Sequence, residues 1–442
     1  MKKPRRLTLW PLVAATYFMV SGGPYGTEDI VHGAGYGGAV LVLFLTPIFW
    51  SLPVALMVGE LSSAIPAEGG FYVWVKRALG PFWGFQEAWL SLAASAFDMA
   101  IYPTLFVIYL SELLPALKVG HRGVLLGLLM IAVCALWNIA GAKAVGDSSL
   151  WLFFVLLSPF AILSFWALAH PSQAAYPSVS LNRKDLVGAV LVAMWNYMGW
   201  DNASTIAGEV ENPQRTYPMA MALAVAIVAL SYAIPIAAMS RSGIASGVWE
   251  TGAWADLAGR VVAPWLKMAI VIGGAISSFG MFNSLVMSYS RLPPVLAEDG
   301  YLPKAFTWIT KSTGAPWVAI MFCAIGWAAC LGIGFERLVT LDILLYGGSL
   351  LLEFAALIAL RINAPELDRP YRVPLGSAGP WIVAAGPALM IVLAVLYSGR
   401  EQIAGMNAFV FGALVMLMGI LLYPVLRLVN RNVLAAKPLR EE

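Results

Sequence analysis

Apolar runs of about 18 or more residues recur along nearly the whole of this 442-residue chain, and each is long enough to cross a hydrocarbon core of about 30 Å. In lipid an unpaired backbone amide or carbonyl costs several kcal/mol, which restricts spanning structures to helices and closed barrels. Runs this long and this uniformly apolar are helical. Charged residues make up 12% of the chain, against about 25% in soluble proteins. The fold class is therefore an all-α polytopic membrane protein, with the bilayer as its solvent and no sizeable soluble domain between spans. Twelve transmembrane helices are expected, at about 8–31, 37–62, 81–112, 123–141, 149–170, 186–207, 217–240, 264–292, 315–335, 338–361, 380–398 and 405–427.

The opening "MKKPRR" is basic like the start of a signal peptide. The apolar segment after it is too long, however, and no small-residue cleavage site closes it. It reads as the anchor of a first span. Of 27 Lys and Arg residues, 18 fall on the side of the N-terminus, and positive loops stay cytoplasmic. Both termini are thus expected in the cytoplasm, and the compact loops suit a plasma (inner) membrane. The net charge of +3 follows from this bias and gives no footing for nucleic-acid binding. Cys134, Cys323 and Cys330 lie in apolar runs without a CxxC pair, as small packing residues do. His32, His121 and His170 are scattered and form no ligand spacing. No metal or other cofactor is expected.

Two spans are interrupted. The first carries "SGGPYGTEDIV" (Ser21 to Val31), and the sixth carries "WNYMGWDNASTIAGEVENP" (Trp195 to Pro213). Unwound backbone at membrane depth persists only where protein or a water-filled cavity satisfies it. Glycine kinks relieved by neighbouring helices would account for one break alone. Interruptions at corresponding places in two halves point to an inverted-repeat transporter with its substrate at the broken helices. Residues 1–170 (spans 1 to 5) and 171–361 (spans 6 to 10) are then the repeats, and 362–442 adds spans 11 and 12 with a cytoplasmic tail.

Several motifs carry a family likeness. "GELSSAIPAEGGFYVWVKRALGPFWGF" (Gly59 to Phe85), "NIAGAK", "AGEVENPQRTYPMAM", "SRLPPVLAEDGYLPKAF" and "RPYRVPLG" resemble, in order, signatures of the amino acid/polyamine/organocation transporter superfamily. "SGGPYGTED", "FDMAIYP" (Phe97 to Pro103), "WDNASTIAGEVENP" and "LEF" (Leu352 to Phe354) are most similar to its polyamine:proton symporter group, near the light-chain amino acid transporters. The resemblance implies a five-plus-five repeat and import of amines or amino acids by alternating access. Several members carry a coupling lysine in span 5, but residues 144–182 contain no Lys. Ser158 is the polar residue near that position, which leaves a carboxylate-borne proton or sodium as the coupling ion.

Four acids, Glu28, Asp29, Asp98 and Asp201, lie at or near membrane depth. An ionised acid at mid-span costs about 2.5 to 3.5 kcal/mol on insertion scales, and Lys and Arg are scarce in the spans. A cationic ligand or a bound proton is the simplest partner. Glu28 and Asp29 have a plainer use as first-turn acids at a helix N-terminus; being about 100° apart on a helix, only one of them faces a given site, and Glu28 is preferred. The expected substrate site comprises Gly22, Gly23, Tyr25, Glu28, Asp98, Trp195, Trp200, Asp201 and Phe282, the aromatic residues offering cation–π faces where they do not simply pack. Glu28, Asp98, Asp201 and the deeper Glu353 are the proton-coupling candidates. Glu60, Glu209 and Glu211 sit at span ends, where capping or gate salt bridges suit them better.

The function expected is a secondary active importer of a polyamine of the putrescine/spermidine class, probed against two alternatives. One is a neutral or cationic amino acid permease, in which the Gly22 and Gly23 amides hold a carboxylate. The other is a substrate sensor that does not translocate. No His, Cys or Ser constellation pairs a nucleophile with a base, so an enzyme is not expected.

Overall fold

A computed structural model describes residues 8–67, 69–140, 143–172, 186–398, 402–403 and 405–429, with the side chains of 143–151, 206–209, 398, 403 and 429 left out. Sixteen α-helices follow one another: α1 Leu9–Val20, α2 Glu28–Thr46, α3 Leu52–Ala64, α4 Gly70–Leu79, α5 Pro81–Ser111, α6 Arg122–Ala140, α7 Lys143–Ala169, α8 Leu186–Asn196, α9 Pro213–Met239, α10 Ala253–Val261, α11 Pro264–Tyr289, α12 Leu292–Glu298, α13 Trp317–Ala329, α14 Phe335–Asn363, α15 Gly379–Ser398 and α16 Ala408–Val429. Among the described residues nine helical stretches are long and apolar enough to cross a membrane, and α1 and α13 are shorter apolar helices. A two-stranded hairpin pairs Gln402 with Asn407 before α16.

The helices divide by what their surfaces meet. The long helix α5 packs on both α11 and α14, and buried polar residues collect along these three helices. The outer helices turn large apolar side chains outward, as Phe165 of α7, Leu396 of α15 and Leu421 of α16 do. Water would penalise such a surface, whereas lipid tails match it. Helix α2 continues past the expected end of the first span and bends at Gly35, whose φ is 67°. A π-helical turn at Pro47–Ser51 then leads into α3, because Pro47 and Pro53 both lack the amide an unbroken helix needs.

Both expected interruptions are present. Helix α1 ends at Val20, residues 21–27 are non-helical and α2 starts at Glu28. Helix α8 ends at Asn196 and a 3-10 segment, Trp200–Glu209, follows a three-residue turn. The two breaks touch. Gly199 has φ 91°, and a Cβ there would stand 2.6 Å from the carbonyl oxygen of Met19. Only glycine permits that approach.

The freed backbone groups are satisfied by named side chains. Ser277 Oγ donates to the Gly22 carbonyl at 2.5 Å, and Trp254 Nε1 and Thr27 Oγ1 both donate to Pro24 O, at 2.9 and 2.5 Å. Asn196 Nδ2 donates across to Gly26 O at 3.2 Å, so one break repairs the other. On the second break Tyr232 OH donates to Asn196 O and Trp200 Nε1 to Tyr197 O, each at 2.8 Å. The backbone accounting that makes an interruption costly is met by protein at these points.

Candidate functional site

A small cavity of about 30 Å³ lies where the two breaks meet α5, α11 and α14, with room for two or three waters. Asp98 and Tyr102 reach it from α5, Tyr289 from α11, and Asp342 and Tyr346 from α14. The chemistry of its wall is one-sided. Two carboxylates line it, together with hydroxyls, amides and aromatic rings, and among the described residues no Lys, Arg or His does.

Each carboxylate is held differently. Asp98 accepts hydrogen bonds from Tyr102 OH, one turn along α5, at 2.9 Å and from Tyr289 OH at 3.3 Å. Asp342 is 2% exposed and has no hydrogen-bond partner among the described residues, so its oxygens are the free acceptors of the site. Asp201, at the start of the 3-10 segment, stands one layer behind the wall. It accepts from Tyr346 OH at 2.5 Å, and that hydroxyl also takes the Gly199 amide at 3.4 Å. Asn202 is fixed by Ser288 Oγ at 2.8 Å. Trp195 leans over this floor, 6.5 Å from Tyr102 and 5.4 Å from Phe335 between ring centroids.

Of the residues singled out by sequence, Gly22, Tyr25, Asp98 and Trp195 line the cavity. The others do not. Gly22 is pressed against Ser277 and Met281, where a Cβ would come within 2.5 Å of the Met281 sulfur. The Gly23 amide is already engaged by Ser21 Oγ at 3.1 Å. Trp200 and Phe282 are fully buried, Trp200 bonded to its own turn and Phe282 edge-on against Trp327 at 5.4 Å. Glu28 is buried beside the cavity rather than in it. It accepts from Tyr109 OH and from the Gly252 amide, the latter at 3.1 Å, while Asp29 accepts from Thr251 at 2.7 Å. These two acids therefore tie the start of α2 to α5 and to the segment before α10.

Asp342 was not among the acids weighed from the sequence. It lies in "LVTLDILLYGG", as much a mid-span acid as Glu353, and the spacing Asp342, Tyr346, Ser349, Glu353 keeps all four on one helical face. That periodicity was the available signal.

The end of the bundle carrying α4 is closed by ion pairs. Glu60, at the end of α3, takes Arg361 Nε and Nη2 at 2.6 Å each, Arg369 Nε at 3.3 Å and the Val373 amide at 2.7 Å. Burial lowers the affinity of the Arg369 guanidinium for its proton, and Glu60 acts in the opposite sense. Lys76 pairs with Asp299 at 2.5 Å, beside Tyr72, whose phenol is pushed above its ordinary range first by burial and then by Asp299. The Glu60 cluster fits the span-end salt bridge expected of it. Glu211 is exposed, and the side chain of Glu209 lies outside the described residues. Among the described residues no group of three His, Cys, Asp or Glu is arranged to hold a metal ion.

Comparison with known proteins places this architecture. The sequence model of the family described as "Amino acid permease" matches residues 13–421. The chain belongs to that family. Among relatives of this permease, "Polyamine transporter PUT1" of Oryza sativa subsp. japonica is 35% identical over 430 residues, covering 97% of this chain and 80% of the relative. "Polyamine transporter RMV1" of Arabidopsis thaliana is 32% identical, covering 92% of the permease and 84% of the relative. The "Serine/threonine exchanger SteT" of Bacillus subtilis is 25% identical, over 86% and 87% respectively. The permease is a multi-pass membrane transporter and not an enzyme.

Proposed function

We propose that this permease imports a polyamine of the putrescine/spermidine class by alternating access, coupled to protons. The observation that carries the reading is the cavity wall, which among the described residues has two carboxylates and not one cationic side chain. A dicationic amine supplies the missing counter-charges, with Asp98 and Asp342 as its acceptors and Trp195, Tyr102 and Tyr25 as aromatic faces. The polyamine transporters among its relatives support the same substrate class. The exchanger with a serine/threonine name favours an amino acid instead, but an α-carboxylate needs free amides at the break. Here Gly23 N is occupied and the two aspartates repel an anion.

In this reading residues 1–170 and 171–361 form the two inverted repeats, with the breaks of α1–α2 and α8 meeting on the pseudo-symmetry axis. Residues 362–442 complete the bundle. Both termini face the cytoplasm, and the α4 end with its Glu60 and Asp299 ion pairs is the inner gate of a protein in the plasma (inner) membrane. The membrane potential drives uptake by about 2.3 kcal/mol per charge per 100 mV. Uptake of labelled putrescine into proteoliposomes, in competition with spermidine, alanine, serine and arginine, tests the reading. Competition by spermidine alone supports it, and competition by amino acids alone refutes it. A sensor would show no counterflow into putrescine-loaded vesicles.

A further inference from the structure

Toward the α4 end from the cavity lies a second pair of buried acids, which no cationic side chain pairs with among the described residues. Glu87 of α5 and Glu353 of α14 are both fully buried. Ser91 Oγ donates to Glu87 Oε1 at 3.0 Å, while Glu87 Oε2 and both carboxyl oxygens of Glu353 have no partner among the described residues. Leu90 of α5 packs against Gly348 of α14, 3.4 Å from where a Cβ there would stand, and Asp98 and Asp342 both line the cavity. Going from 98 to 87 and from 342 to 353 therefore moves in the same direction, so α5 and α14 run antiparallel. Each step is eleven residues, three helical turns plus about 20°, or about 16 Å. The acids thus form two tiers on one pair of facing helix stripes, with Ser91 and Ser95 between them on α5 and Tyr346 and Ser349 on α14.

The surroundings leave the lower tier uncompensated. Asp201, from the 3-10 segment, is an acid too, and it is held at 2.5 Å by the hydroxyl of Tyr346, which stands two turns from Glu353 on α14. Lys76 of α4 is engaged by Asp299, and Arg361 and Arg369 by Glu60. Tyr423 of α16 packs on Phe85 and Tyr301, toward the α4 end. Two ionised carboxylates buried without a cation would be prohibitively costly. Two carboxyls that share a site lose and gain protons as a unit.

We propose that Glu87 and Glu353 share the transported proton and form the coupling site, separate from the amine site formed by Asp98 and Asp342 above it. The Asp201–Tyr346 hydrogen bond spans the two tiers. An amine entering the cavity draws on Asp201 through Tyr346, and opening of the α4 end admits water to the lower pair, which releases its proton inward. The inference rests on the proton-coupled reading above and locates its proton.

The test uses the full chain in sodium-free proteoliposomes with the membrane potential clamped at zero. An inward gradient of about one pH unit drives about tenfold accumulation of putrescine per coupled proton. Wild type should show this accumulation together with acidification of an entrapped pH dye. Glu87→Gln and Glu353→Gln should each bind putrescine within about twofold of wild type and still exchange it in counterflow, while the gradient-driven accumulation falls about tenfold to equilibration and the dye signal disappears. Undiminished gradient-driven accumulation in both variants would overturn the coupling site alone. Loss of putrescine binding in folded variants would place the lower tier in the substrate site and also overturn it. Wild type that moves putrescine without protons, or only with sodium, would overturn the coupling reading itself. If one substitution prevents folding, the other carries the test, since a shared proton is lost with either partner.

Discussion

Replacement of Asp342 by Asn isolates the charge that the substrate reading depends on. The side chain is buried, lines the cavity and has no hydrogen-bond partner among the described residues, so the isosteric amide breaks nothing within the protein. A cation 4 Å away interacts with a carboxylate by about 4 kcal/mol at an effective dielectric of about 20. Much of that is offset by desolvation, and hydrogen bonds to charged groups contribute a net of about 1.5 to 3 kcal/mol. At about 1.4 kcal/mol per decade, Asp342→Asn should weaken putrescine binding roughly 10- to 150-fold. In the empty protein the same change removes a buried carboxyl that has no partner among the described residues, so the melting temperature should hold or rise. Scintillation proximity binding of labelled putrescine, alongside thermal unfolding in the same detergent, reads both quantities. An affinity within about threefold of wild type, in a protein of unchanged stability, would show that Asp342 does not meet the amine.

Four further outcomes follow from the geometry. Asp201→Asn keeps a hydrogen bond to Tyr346 but loses its charge one layer behind the wall, so putrescine affinity should fall less than in Asp342→Asn, by about tenfold or under at the effective dielectric of a screened second layer; a larger loss would put Asp201 in direct contact. Gly199→Ala forces a Cβ to 2.6 Å from the Met19 carbonyl at a φ of 91°, which should cost about 2 to 4 kcal/mol and lower both melting temperature and uptake; unchanged values would contradict the close contact of the two breaks. Phe282→Leu thins the packing against Trp327 and should cost under about 1.5 kcal/mol without altering putrescine affinity, as measured by unfolding and binding together. Glu60→Gln removes the buried negative charge that pairs with Arg361 and Arg369 and leaves one accepting oxygen where there were two, which should cost about 3 to 5 kcal/mol of the closed arrangement, seen as faster labelling of a cysteine placed below the cavity; unaltered labelling would remove the cluster from the gate.

The sequence disclosed depth better than direction. Glycines, a proline and crowded polar residues in otherwise apolar runs located both interruptions, because lipid tolerates freed backbone in few ways. Which side chains look into the space between them depends on helix rotation. Trp200 and Phe282 share the depth of the cavity but face packing partners, and Glu28 turns to Tyr109 and the Gly252 amide. Asp98 is legible as a charge in the middle of an apolar span, and Trp195 as a large ring beside a break. Asp342 was passed over since "LVTLDILLYGG" has no interruption to draw the eye, although its register with Tyr346 and Glu353 marks one face. Glu87 lies near the start of α5, where an acid reads as a span-end residue, and only the antiparallel packing on α14 sets it opposite Glu353. The short helix α10, with the Trp254 that caps the first break, is hidden in a loop-like stretch. Its role comes from a tertiary hydrogen bond that no local pattern announces.

The central claim is that the space between the two breaks holds an amine between Asp98 and Asp342. A structure determined with saturating putrescine addresses it most directly. The account predicts one ammonium within hydrogen-bond distance of Asp342, the second reaching Asp98, and the alkyl chain against Trp195. Putrescine bound elsewhere, or a cavity that stays filled by water at saturation, would contradict it.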